Sequence, residues 1–110
     1  MRMAHPSIHD DPSRTTPIGL LRYSTEFLEA AGIVDEHMGS RSGYETIAPI
    51  PVMFLTGHAI ELALKAFLLK HGVTLTELRS RKFGHNLVAL MDESLNRGLR
   101  DLPSPACSPA

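Results

Sequence analysis

The stretch Gly57–Gly72, GHAIELALKAFLLKHG, decides the fold of this 110-residue chain. From Val52 onward, Leu55, Ala59, Leu62, Ala66 and Leu69 recur at the three- and four-residue spacing of a helical core stripe. Phe54, Phe67 and Leu68 widen the stripe beyond half the circumference. Pro49 and Pro51 let a helix begin but not run through them. Lys70 and His71 complement the carboxyl end of the helix dipole, and Gly72 suits its cap. Some twenty residues at ~1.5 Å each make a rod of roughly 30 Å, the length of a bundle helix.

Working outward, Thr16 is an N-cap with Pro17 at the first helical position. Leu20, Leu21, Phe27, Leu28 and Ala31 follow at helical spacing, and the pattern continues through Ile33 and Val34 toward Met38. Gly39–Glu45, GSRSGYE, reads as a loop. Beyond Gly72, Thr74 or Thr76 begins a short helical turn that Gly84 ends. Asn86, or His85 itself, then caps a last helix through Leu87, Leu90, Met91 and Leu95, stopping near Gly98. Only TIAPIPV hints at a strand, and its prolines argue against one. The expectation is an all-α, up-and-down helical bundle over residues 17–100, with a disordered leader at 1–16 and a disordered tail at 101–110. A helix apolar on most of its faces requires more neighbours than two shorter helices supply. A homodimer, or a bundle shortened relative to longer relatives, would meet that requirement.

A chain of this length holds one domain. Its formal charge of −1 gives no global attraction to nucleic acid, so such binding requires a local basic patch. Cys107 is the only cysteine and forms no internal disulfide, which fits a reducing compartment. The first residues, MRMAHPSIHDDPSRTTP, lack the apolar run of a secretory signal. His58, Glu61 and Lys65 interrupt the longest apolar segment, so no membrane span is expected and the cytoplasm is the default location.

Two constellations carry possible chemistry. His58, Glu61 and Lys65 lie along one helical face. They serve either as internal polar support, with Glu61 and Lys65 paired and His58 at a helix crossing, or as a ligand- or phosphate-binding pocket. The His-x-x-Glu spacing also occurs among metal ligands of bundles. Those sites need carboxylates from other helices, so neither metal nor other cofactor is expected. The second constellation is ELRSRKFGHNL, Glu77–Leu87, which gathers Arg79, Arg81 and Lys82 just before His85. Cations beside a helix N-terminus suit a phosphate, and a histidine there suits proton transfer. A solvated basic loop ending in a capping or packing histidine is the plainer alternative.

The second half of the chain, Pro51–Gly98, resembles the HEPN superfamily of all-α domains. Glu61 and Lys65 match its Glu-x-x-x-Lys core, Gly72 its glycine turn, and His85 with Leu87 the step that opens the next helix. The resemblance implies one of two roles. One is a non-catalytic binding or dimerisation module, associated with RNA or a nucleotide, or partnered with a nucleotidyltransferase. The other is a metal-independent endoribonuclease of the toxin or abortive-infection type, with an antitoxin as partner. The ribonuclease motif, Arg-x(4–6)-His, would fall on Arg79 and His85, with the histidine moving protons and the arginine stabilising charge at phosphorus. Here Lys82–Gly84 places a turn inside that motif.

Overall fold

The structure, a computed structural model, describes residues 15–101. The leader and tail expected at 1–16 and 101–110 fall outside it, except for Thr15, Thr16 and Asp101. The described residues are all-α: α1 is Pro17–Met38, α2 Ile50–Lys70, α3 Leu75–Leu78 and α4 Leu87–Asn96, followed by a 3-10 turn at Leu99–Asp101.

Each boundary has a local cause. Thr16 is extended, and its side chain accepts from the Gly19 amide, with Pro17 filling the first turn. α2 begins at Ile50 rather than Val52, because Pro51 sits in the first turn, where no amide donor is missed. His71 caps its other end, and Gly72 takes the left-handed turn there (φ 98°). Thr74 and Glu77 cap α3 reciprocally. Asn86 caps α4 by accepting from the Ala89 amide, and the helix stops at Asn96. By length and composition α2 meets the test for a membrane span, a test that core helices of soluble proteins also pass.

α1 and α2 form an antiparallel hairpin. The buried Ser24 hydroxyl donates to the Ala59 carbonyl at 2.6 Å, and Phe27 meets His58 edge-on with ring centroids 4.5 Å apart. The small residues Ala31, Ala59 and Ala66 are buried, which lets the two backbones approach. α4 departs from the expected up-and-down order, since it lies beside the second half of α2 and runs in the same direction. His85, just before it, contacts Glu61, while Arg97, just after it, donates to the His71 carbonyl at 2.7 Å. The connection between α2 and α4 is long enough to return along α2 before the chain turns again. Val73, Leu78 and Phe83 anchor that return by burying their side chains with Leu64, Leu68 and Leu90. Each such side chain stabilises the fold by about 1.5–3 kcal/mol.

The core stripe of α2 is rotated from the expected one. Ala59 and Ala66 are buried, but the centre is Leu64 and Leu68, and Leu55, Leu62 and Leu69 are half-buried. The reason is that α2 serves two neighbours, α1 on its alanine side and the α3–α4 segment on its Leu64–Leu68 side. α4 spans only ten residues, so the first half of α2 lacks a neighbour on that second side. Ile50, Met53, Phe54 and Ile60 are consequently exposed.

Candidate functional site

The site centres on Glu61, a carboxylate at the middle of the most apolar helix. Its side chain is 9% exposed. Burying a charge is costly unless it is paired and hydrogen-bonded, and Glu61 receives two partners. Lys65, one turn on, donates from Nζ to Oε2 at 2.9 Å. His85, 24 residues on, places Nδ1 at 2.9 Å from Oε2 and 3.0 Å from Oε1. Burial pushes the Glu61 carboxyl upward, but the hydrogen bonds and charges of Lys65 and His85 outweigh it. The net position is below the ordinary carboxylate value. An ionised carboxylate only accepts, so His85 Nδ1 carries the hydrogen of this contact, and Nε2 is the ring nitrogen that Glu61 does not engage.

The His85 side chain is 85% exposed, in contrast to the acid that holds it. Its placement follows from the preceding loop. Phe83 is buried in the core, and Gly84 turns the chain at φ 35°. A Cβ at Gly84 would sit 3.3 Å from the Ser80 carbonyl oxygen. The Asn86 amide closes the turn onto the Phe83 carbonyl at 2.6 Å. Phe83 thus ties down one side of His85 and the Asn86 cap the other, which delivers the imidazole onto Glu61.

The remaining anticipated residues divide. Arg79 caps α3, and its exposed guanidinium makes no hydrogen bond or ion pair with any described residue, His85 included. Arg81 is exposed in the same loop. Lys82 Nζ lies 5.0 Å from the Phe83 ring centroid, a cation–π contact between neighbours in the loop. His58 does not join Glu61 and Lys65 in one pocket. It sits at the α1–α2 crossing, edge-on to Phe27 of α1, the placement expected of a packing histidine. Among the described residues no three His, Cys, Asp or Glu side chains gather as metal ligands would.

The Glu61–His85 contact is the element of the site that sequence reasoning misses. Its only trace in sequence is that a carboxylate inside a core helix has two oxygens to satisfy and one lysine nearby. A cavity of about 630 Å³ lies elsewhere, between the start of α1 and the end of α2. Pro17, Leu21, Ala66, Phe67 and Lys70 are among the residues that line it. Comparisons with protein-family profiles, curated proteins and solved structures find no match for this chain.

Proposed function

We propose that this chain is a HEPN-like helical binding and dimerisation module that holds an RNA or nucleotide phosphate at the loop leading into His85. The observation that supports it is an exposed imidazole pinned through Nδ1 by a buried carboxylate. Such a ring keeps one orientation, so its outer nitrogen meets a ligand without first losing rotational freedom. Arg79, Arg81 and Lys82, six or fewer residues upstream, supply the positive charge that a phosphate needs and that the chain as a whole lacks. Glu61 and Lys65 belong to this reading as supports of the ring.

The same feature favours a second reading, a metal-independent endoribonuclease. Nε2 of neutral His85 would take the proton of a ribose 2′-hydroxyl as its oxygen attacks phosphorus, and the 5′-oxygen would leave. Arg79 would have to swing toward the phosphate to stabilise the developing charge. A nucleotidyltransferase partner accords with the first reading and an antitoxin with the second.

Fluorescence anisotropy with a labelled single-stranded RNA tests both. Wild-type protein is expected to bind, with affinity falling as salt rises. Replacing Arg79, Arg81 and Lys82 together with alanine is expected to flatten the log–log salt slope by about 2, at ~0.7 for each phosphate no longer neutralised. An absence of binding at 50 mM salt removes the phosphate reading. Cleavage that resists EDTA and vanishes in His85→Ala selects the ribonuclease over the binding module.

A further inference from the structure

The first half of α2 carries a bare seam that no other part of the described chain covers. Ile50, Met53, Gly57, Ile60 and Leu64 follow at alternating spacings of three and four, the interval of a helix–helix seam. Leu64 is buried in the core, but Ile50, Met53 and Ile60 are exposed, and Phe54 beside them is 76% exposed. Ile47 precedes the seam, and Leu87, Val88 and Met91 of α4, which begins beside Glu61, are exposed too. With about two-fifths to three-quarters of each residue open to solvent, these eight together offer surface on the order of 800 Å². That equals one partner's share of a standard stable interface and exceeds the largest apolar patch of an ordinary monomer.

Gly57 marks where that surface is meant to be approached. A glycine inside a helix is destabilising relative to alanine. Nothing in its own chain asks for one here, because a Cβ at Gly57 would meet no atom within 4 Å. Gly57 itself is half-buried between larger side chains of the seam, and a small residue at that point lets a second helix come close. The stretch Ile50–Ile60 also has no Asp, Glu, Lys or Arg, and its one histidine, His58, is turned toward Phe27. An uncharged face meets its own copy without like-charge repulsion, as a two-fold contact requires.

We infer that a second copy of this chain covers the seam, its α2 crossing the first antiparallel at Gly57. This deepens the dimerisation part of the function proposed above and rests on it. Antiparallel pairing about Gly57 sets Phe54 against the partner's Ile60, and Met53 against the partner's Glu61. Each subunit thereby places apolar side chains beside the other's Glu61–His85 pair, so the partner shields one edge of the site. Both His85 loops then lie along the same interface.

Sedimentation equilibrium of the full chain at about 1–100 μM is the test. Wild type is expected at twice 12.1 kDa. Phe54→Glu, which forces two charges into the apolar contact, is expected to weaken association at least tenfold. Gly57→Ala serves as a second variant because it does not threaten the fold. It should raise thermal stability of the isolated subunit by better helix propensity, yet weaken association severalfold. A wild-type mass of 12.1 kDa across the range overturns the inference, as does a Phe54→Glu or Gly57→Ala protein that associates like wild type. RNA anisotropy on the same samples reads the His85 loop separately. A failed dimer and a failed phosphate site are therefore told apart.

Discussion

Replacing Glu61 with glutamine keeps the shape of the side chain and removes its charge. In the folded protein Glu61 accepts one hydrogen bond from Lys65 and one from His85, both charge-assisted because the acceptor is an ionised carboxylate. Such bonds contribute about 1.5–3 kcal/mol each when buried. The Lys65 side chain is mostly buried, so that bond keeps most of its worth. The His85 ring is exposed, so its bond is discounted toward ~0–1 kcal/mol. The variant should therefore lose about 2–3 kcal/mol at pH 7, roughly 10–20 °C in Tm for a domain of this size. Urea unfolding followed by circular dichroism, at fixed protein concentration, measures it.

The pH dependence has a definite sign. The folded carboxyl lies below the ordinary 4.5, so its stabilisation is complete above that value and is lost as pH falls through the folded pKa. A protonated Glu61 resembles the glutamine, so the gap between wild type and Glu61→Gln should narrow as pH falls below 4.5 and through the folded pKa. Lys65→Met alone should cost about 2 kcal/mol by leaving the acid with one partner. The double variant should cost less than the two single losses together, by ~1–2 kcal/mol of coupling. A Glu61→Gln protein within about 0.5 kcal/mol of wild type at pH 7, or a gap that ignores pH, would refute this account of the buried acid.

Other substitutions probe the frame around the site. Ser24→Ala removes a buried side-chain bond that crosses from α1 to α2, and should cost about 1 kcal/mol in urea unfolding. Gly32→Ala should stabilise by ~0.5–1 kcal/mol, since it lies inside α1 and a Cβ there meets nothing within 4 Å. Gly72→Ala should instead cost about 1–2 kcal/mol, because φ is 98° there; opposite shifts in Tm for the two glycines check both. Leu68→Ala, at a fully buried position, should cost roughly 2–5 kcal/mol and is expected to show as lost cooperativity in thermal melts.

Much of the frame was legible because its signals are local. Thr16 with Pro17, Gly72, Thr74 and Asn86 act on the few residues next to them, and each marks a helix end in the structure. The choice of stripe on α2 was less legible. Leu55, Leu62 and Leu69 read as core by spacing, yet Leu64 and Leu68 occupy it. On a helix apolar nearly all round, periodicity does not say which side will find a neighbour. Neither does it say how far the neighbour extends, and the ten residues of α4 leave Phe54 uncovered while they cover Leu68.

The candidate site divides along the same line. That Glu61 and Lys65 pair could be read from their spacing of four, since the helix itself brings them together. That Glu61 also holds His85 depends on the return of residues 73–84 along α2, with Phe83 buried as its anchor and Gly84 as its turn. By itself, then, the sequence determined the helices, their ends and the pairing within one turn, because these arise from backbone geometry over a few residues. Tertiary structure alone decided the direction of α4, the grip of a buried acid on an exposed histidine, and the face of α2 left bare. Each of these depends on where distant segments meet, and burial and pairing of charge set that meeting over the whole chain.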